Sequence, residues 1–400
     1  MKLNSGYPFW LVKDGLPFSY PKLDTSIKAD VVILGGGISG ALVGYYLINA
    51  GINCVVADAR SIGLGSSCAS TSLLQYEIDT PLSELKNLVG SDHAVRSYQL
   101  CADAIDSLQS IAQKLNYKEF KSKKSLYYAA HKKDTAFLKE EFAIRKANGF
   151  EVKYLDEDEV KSVFNINAPA AILSQCGGEL NAYSFAHRLH QHGIKKGLKV
   201  YDRTPVKNIK HSKNSVVLLT ENGHTITAKK LVYATGYESV NFIDKKIVDF
   251  HSTYATISEQ ANEKTNFWKD DVLIWNTADP YLYMRTTSDK RILIGGRDEA
   301  FLDALKRDKL IDKKKKLLVK DFNRVFPAIE FIPEFSWAGT FAATKDGLPY
   351  IGNYKKLPNS LFALGFGGNG ITFSLIAAEI IKDEILGKKN KDAAIFRFER

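Results

Sequence analysis

From Asp30 the chain becomes sharply apolar. Val31-Val32-Ile33-Leu34 is followed by Gly35-Gly36-Gly37, then by apolar positions at helical spacing as far as Ala50, then by Cys54-Val55-Val56-Ala57. A short apolar run, a glycine turn, a 3.6-residue period and a second short run predict strand, turn, helix, strand: a βαβ unit. Downstream the same reading predicts helices over 92–117, 135–148, 156–164, 183–196, 312–325 and 370–386. It predicts strands over 125–130, 151–155, 206–209, 215–220, 231–234 and 361–364. Runs at 253–258, 281–285 and 291–294 fit an antiparallel sheet. Ahead of the βαβ unit, residues 1–29 carry Tyr7, Phe9, Trp10, Phe18 and Tyr20 and read as an ordered arm laid across a surface.

Composition narrows this picture. A chain of 400 residues suggests two or three compact units, and 45% hydrophobic with 25% charged residues fits a folded protein. The net charge of +10 comes partly from the runs Lys313 to Lys316 and Lys388, Lys389, Lys391. No nucleic-acid module accompanies them, so they read as solvated helix faces and no nucleic-acid partner is expected. The four cysteines show no CxxC spacing, which argues against a disulfide framework or a zinc site and fits a reducing compartment. The start of the chain lacks a signal-like apolar core, and no apolar run reaches ~18 residues, so a cytoplasmic location without a membrane span is expected. His187, His190 and His192 lack further metal ligands nearby and are expected on an exposed helix surface.

The chemistry concentrates in glycine-rich segments. Gly35-x-Gly37-Ile38-Ser39-Gly40 follows a strand and opens a helix. The first glycine permits the tight turn, the second lets backbone approach a pyrophosphate, and the third lets helix pack on strand. The helix N-terminus then offers free N–H groups and partial positive charge to phosphate. Asp58, 18 residues past Gly40, closes the second strand and can accept hydrogen bonds from ribose hydroxyls. This unit serves NAD and FAD alike. Two more segments favour a flavin. Arg60 to Thr71 is small and hydroxyl-rich, suited to a ligand lying against backbone. Gly365 to Thr372 again joins a strand to a helix, placing a second helix N-terminus where negative charge on a reduced ring would be stabilised. Between them, Thr235 and Gly236 end another strand in a tight turn.

With these motifs, the arm Pro8-Phe9-Trp10-Leu11, Trp337-Ala338-Gly339 and Asp346-Gly347-Leu348-Pro349-Tyr350-Ile351-Gly352, the chain resembles the D-amino-acid-oxidase-type family of FAD-dependent oxidoreductases. The aromatic arm most resembles the gamma-glutamylputrescine oxidase branch. The resemblance implies that Gly35, Gly37, Gly40 and Asp58 hold the ADP half of FAD, with Ile38, Ser39, Ala59, Arg60, Thr235 and Gly236 beside it. Val206 would meet the adenine through its backbone. Ser66, Ser67, Ser70, Thr71 and Leu73 would line the isoalloxazine, and Gly367, Gly368, Asn369, Gly370, Ile371 and Thr372 its pyrimidine edge. Two departures bear on the substrate. Phe341 stands where amino-acid oxidases of this family carry an arginine for the substrate carboxylate, and Gly368 stands where glycine oxidase places a basic residue. Gly339 to Thr344 has no cysteine at the position that attaches flavin in sarcosine-oxidase relatives, so non-covalent FAD is expected. Arg285 is a candidate contact for an anionic substrate group, or an ordinary strand-end arginine. Tyr254 is a candidate to face the flavin from the sheet, or a core residue.

The expected architecture is α/β. A Rossmann-like FAD-binding domain from residues 1–95, 165–248 and 334–400 interleaves with an antiparallel-sheet substrate domain from 96–164 and 249–333. The expected reaction is oxidation of a C–N bond in an amine or amino-acid-like compound to an imine, with oxygen as electron acceptor and hydrogen peroxide as product. The alternatives are a dehydrogenase passing electrons to a quinone or carrier protein, and a low-turnover flavin-binding module of a larger complex.

Overall fold

The computed structural model describes all 400 residues. The βαβ unit forms as the apolar pattern predicts, with strand Ile27–Leu34, helix Ile38–Asn49 and strand Cys54–Ala57. Strand Ile27–Leu34 pairs in parallel with Cys54–Ala57 on one side and Thr225–Tyr233 on the other. These strands sit inside an eight-stranded sheet. Both faces of that sheet are covered, so its central strands can be apolar at successive positions, as in Val31 to Leu34. On one face, helices Ile38–Asn49, Ser91–Lys114, Ala182–Lys195 and Gly370–Ile385 share the largest core cluster. On the other, Val32, Leu34, Leu218, Tyr233 and Phe362 form a smaller one.

The second sheet has nine strands, ordered Asn4–Gly6, Pro333–Ala343, Asp249–Ser258, Ile292–Glu299, Tyr283–Thr286, Leu273–Asn276, Ser125–Tyr128, Ala170–Ser174 and Val152–Asp156. Neighbours are antiparallel except Leu273–Asn276 beside Ser125–Tyr128. Side chains alternate between its faces. One face packs Ile294, Met284 and Ala338 against Leu318 and Phe322 of helix Ile311–Val325. The opposite face turns toward the first sheet.

The sheets correct the expected boundaries. Strands Asn4–Gly6, Ala170–Ser174 and Pro333–Ala343, expected in the FAD-binding domain, pair into the nine-stranded sheet. Strand pairing recruits a segment by register and edge availability, whatever its place in the chain. Helix Ser91–Lys114, expected mostly in the substrate domain, buries Tyr98, Cys101, Ile105 and Leu108 in the largest core cluster, against helix Gly370–Ile385. The second of the three runs expected in the antiparallel sheet begins at Tyr283 rather than Tyr281, which leaves Tyr281 ahead of the strand. No helix is long and apolar enough to cross a membrane.

A buried ion network ties the two halves together. Glu77, Glu141 and Arg145 have fully buried side chains. Arg145 donates from Nε to Glu141 Oε1 at 2.8 Å, one turn away on helix Thr135–Ala147, and from Nη1 to Glu77 Oε1 at 3.4 Å. Glu141 also accepts the N–H groups of Leu82 and Ser83, each at 2.9 Å, at the start of helix Leu82–Val89. Burial pushes the Glu77 carboxyl up. Burial acts on Glu141 in the same direction, but the Arg145 charge and the two N–H donors outweigh it and hold that carboxyl below its ordinary value. Tyr76, Tyr98 and Tyr127 surround the guanidinium at 5.7–5.8 Å from its carbon to each ring centre. Removing the cation strands two acids in this enclosure. Arg145→Met is therefore expected to lower the unfolding free energy by about 3–5 kcal/mol in urea titrations of the FAD-loaded protein. A loss below about 1 kcal/mol would show that the network does not lock the halves.

Candidate active site

The glycine loop is shaped by contacts that no side chain fits. Gly35 takes a left-handed φ of +109°, and a Cβ there would lie 2.4 Å from the Ala234 carbonyl oxygen. A Cβ on Gly40 would lie 1.8 Å from the Gly35 carbonyl oxygen, so helix and turn touch backbone to backbone. Gly37 differs: its Cβ would meet only Ser67 Oγ, at 2.9 Å. The first N–H groups of helix Ile38–Asn49 have no partner within the helix and open beside Gly37. Ser67 Oγ accepts the Ile38 N–H at 2.9 Å. Asp58 stands at the end of the neighbouring strand, its carboxylate accepting from Gly36 N at 2.6 Å and Arg60 N at 2.8 Å. Burial raises its carboxyl against the pull of these donors.

His187 and His190 overturn the exposed-surface expectation: they are 2% and 0% exposed. His190 Nε2 lies 3.0 Å from the Gly36 carbonyl, and burial pushes its imidazole down to about 4. The ring is thus neutral, and Nε2 carries the proton it donates to that carbonyl. His187 bonds through Nδ1 to the Tyr20 hydroxyl at 2.9 Å, which ties the arm to this helix. These histidines support the loop from beneath and form no metal-binding cluster.

A cavity of about 690 Å³ runs from the glycine loop to the nine-stranded sheet, within the ~300–1,000 Å³ usual for cofactor sites. At one end it is lined by Gly35, Gly37, Ile38, Ser39, Asp58, Ala59, Arg60, Val206, Thr235 and Gly236. Ser66, Ser67, Ser70, Thr71 and Leu73 form its middle wall, and Gly367 to Thr372 its far rim. Gly40 is absent from the lining because it is consumed in helix packing. Ser66 Oγ is buried without a partner. The hydroxyl-rich wall is pinned from behind: Trp10 Nε1 donates to Ser70 O at 2.6 Å and Trp337 Nε1 to Ala69 O at 2.8 Å. The far rim depends on Asp79, a residue that carried no sequence signal. Its Oδ2 accepts from Gly368 N at 2.7 Å and its Oδ1 from the Tyr281 hydroxyl at 3.0 Å. A Cβ on Gly367 or Gly368 would lie 2.7 or 2.6 Å from that carboxylate, so a larger residue there would displace Asp79.

Both candidates, Tyr254 and Arg285, are held by packing contacts. The Tyr254 ring belongs to the core on the opposite face of its strand, with Ala338 and Phe322, and Lys314 Nζ lies 5.2 Å from its centre. All three residues Thr253, Tyr254 and Ala255 border the cavity, and strand alternation turns the side chains of Thr253 and Ala255 to the face opposite the Tyr254 ring. Arg285 lies outside the cavity lining. It donates to Ser72 O at 2.7 Å and Leu180 O at 3.1 Å, faces Glu179 at 3.7 Å and covers the Trp10 ring at 5.2 Å. It packs the arm against the core. The sheet presents Thr253, Tyr283, Asp298, Thr340 and Phe341 to the cavity, and Tyr281 joins them from the segment ahead of its strand. Asp298 follows a bulge in which Gly296 and Arg297 have φ of +131° and +59°. The bulge sends Arg297 back to Asp321 on the covering helix, at 2.6 Å, and leaves Asp298 facing inward. Its signal was legible: the glycine pair Gly295-Gly296 inside a strand pattern marks such a bulge.

Two helix N-termini, a carboxylate closing a strand and an orphaned hydroxyl on a wall of small residues fit FAD from phosphates to ring. Gly37→Val fills the open side of the loop where phosphate must approach. It is expected to abolish FAD retention while far-UV circular dichroism stays at the parent level. Normal FAD content in that variant would overturn this assignment of the loop.

Residues 30–384 match the model of the DAO family, described as FAD dependent oxidoreductase. The gamma-glutamylputrescine oxidoreductase of Escherichia coli (strain K12) is 23% identical over 389 residues, covering 92% of this chain and 86% of the relative. The fold superposes on glycine oxidase from Geobacillus kaustophilus with a TM-score of 0.78 at 20% identity, over 93% of this chain and 99% of that one. L-proline dehydrogenase from P. horikoshii superposes with a TM-score of 0.76 at 19% identity, over 94% and 99%. With the glycine loop, the strand-end acid and the second helix N-terminus in place, the chain belongs to the DAO family of FAD-dependent oxidoreductases.

Proposed function

We propose that this protein oxidises a C–N bond in an amine, or in an amino compound whose carboxylate is remote, to an imine that water hydrolyses to a carbonyl compound. The observation that carries the reading is the charge of the cavity. Its basic lining side chains, Arg60, Lys207 and His211, all belong to the cofactor end, and the sheet end has neither arginine nor lysine. Phe341, at the family's carboxylate-arginine position, stacks on His251 with ring centres 5.2 Å apart. Arg307 lies behind this wall, but its guanidinium is engaged by Thr340 Oγ1 at 2.7 Å, Ser5 Oγ at 2.7 Å and Lys2 O at 3.1 Å. A directional Arg–carboxylate pair, the usual grip on an α-amino acid, has no counterpart here. The names of the three relatives above, each referring to an amine or amino acid, support C–N chemistry.

FAD, when bound, would supply a two-electron acceptor for the C–H bond beside the nitrogen, the ammonium and N–H protons leaving to solvent, with oxygen as the final acceptor reduced to hydrogen peroxide. The chain's own residues supply binding and orientation. The two helix N-termini favour negative charge at the phosphates and at the ring edge near Gly367 to Thr372. Tyr281, Tyr283 and Phe341 give the substrate an apolar wall and exclude water. No cysteine lines the cavity, and the nearest, Cys68, is buried with Sγ donating to Gly65 O at 3.3 Å, which supports non-covalent FAD.

The purified protein is expected to be yellow and to release free FAD on acid precipitation; flavin left in the pellet would refute non-covalent binding. In anaerobic titrations, simple amines should bleach the flavin faster than glycine, sarcosine or D-alanine, and the reverse order would overturn the reading of the pocket. Readmitted air should restore the colour with one peroxide per amine consumed. Restoration only by an added quinone would assign the electrons to a dehydrogenase route.

A further inference from the structure

The sheet end of the cavity lacks positive charge, and it also holds a carboxylate with no cationic partner. Asp298 lines the cavity, its Oδ1 is buried with no hydrogen-bond partner, and it joins no ion pair within 4 Å. The neighbouring cations are engaged elsewhere. Arg297 is held by Asp321, and Lys314, on the far side of the sheet, bonds to Glu299 Oε1 and Arg297 O, each at 2.6 Å. The second acid at this end, Asp79, is satisfied by Gly368 N and the Tyr281 hydroxyl and adds further negative charge. Burial and the Asp79 charge push the Asp298 carboxyl up to about 6 against the pull of the Thr253 hydroxyl and the more distant Lys314 charge, which leaves it mostly ionised at neutral pH.

A buried carboxylate without a partner is costly, and a bound cation relieves that cost. The surroundings suit a cation carried on an alkyl group. Tyr281 and Tyr283, with ring centres 5.8 Å apart, line the same end as Phe341 and offer aromatic faces to an ammonium. Thr253 stands on the adjacent strand, its hydroxyl 3.4 Å from that of Tyr283.

We propose that Asp298 binds the ammonium group of the substrate, and that the substrate class is therefore a cationic alkylamine without an α-carboxylate. This rests on the amine-oxidation reading above and adds to it the residue that selects the charge. Asp298 acts here as a binding group, and no proton transfer is assigned to it.

The test uses a ligand pair that cannot be oxidised, because neither member has hydrogen on the carbon bearing the charged group. Tert-butylammonium and the similarly shaped anion pivalate are titrated into the FAD-loaded protein, and the shift of the flavin's visible spectrum is read at equilibrium. The parent should bind the cation at least tenfold more tightly than the anion. Asp298→Asn should weaken the cation at least tenfold, with FAD content unchanged. Equal or tighter binding of pivalate by the parent, or cation affinity within twofold of the parent in Asp298→Asn, overturns the assignment. If Asp298→Asn fails to hold FAD, Phe341→Arg provides an independent check: a cation added to the same end of the cavity as an intact Asp298 should cancel the preference, and an unchanged preference overturns the proposal. Cation selectivity without flavin reduction by any amine would defeat the oxidation reading and leave this site standing. Rapid reduction by amines with an indifferent Asp298→Asn would do the opposite.

Discussion

The contact on which the rest of the site depends is the approach of Gly40 to the Gly35 carbonyl, too close for even one extra carbon. It sets helix Ile38–Asn49 directly against the end of strand Ile27–Leu34 and aims unpaired N–H groups into the cavity. Everything around the loop reinforces that approach. Asp58 accepts the Gly36 N–H from the side, and neutral His190 donates to the Gly36 carbonyl from below. A loop held by three backbone neighbours and two side chains is pre-organised, so binding FAD need not order it first.

The second constraint joins the two sheets at the opposite end of the cavity. Asp79 holds the Gly367–Gly368 rim and the Tyr281 hydroxyl together, so cofactor-side backbone and substrate-side aromatic share one carboxylate. The Asp79 carboxylate occupies the space directly over both glycines of the rim. Further out, Arg145 fastens Glu77 to Glu141 in full burial, and Trp10 and Trp337 clamp the hydroxyl-rich wall. The cavity thus lies between elements locked at both ends. Its character changes along its length, from N–H groups, Asp58, Glu238 and the basic Arg60, Lys207 and His211 at the phosphate end to Asp298 and tyrosines without a basic side chain at the sheet.

The local parts of this protein were legible in the sequence because they are set by short-range rules. The βαβ unit, the three glycines, the strand-end acid and the second glycine-rich helix start all follow from apolar period and from backbone that must pass without a side chain. The absence of an arginine at Phe341 was legible too, since a residue type is read directly. What only the tertiary structure decided is which face each residue presents and which strands share a sheet. Tyr254 and Thr253 are one residue apart, and a strand sends them to opposite faces. Arg285 and Asp298 are both polar residues at strand ends, yet one packs the arm and the other faces the cavity because a bulge shifts the register. His187 and His190 were buried by an arm arriving from Tyr20, and Asp79 was brought to Gly368 across nearly the whole chain. Such partners are far apart in sequence, and a pattern read along the chain carries no information about what packs across it.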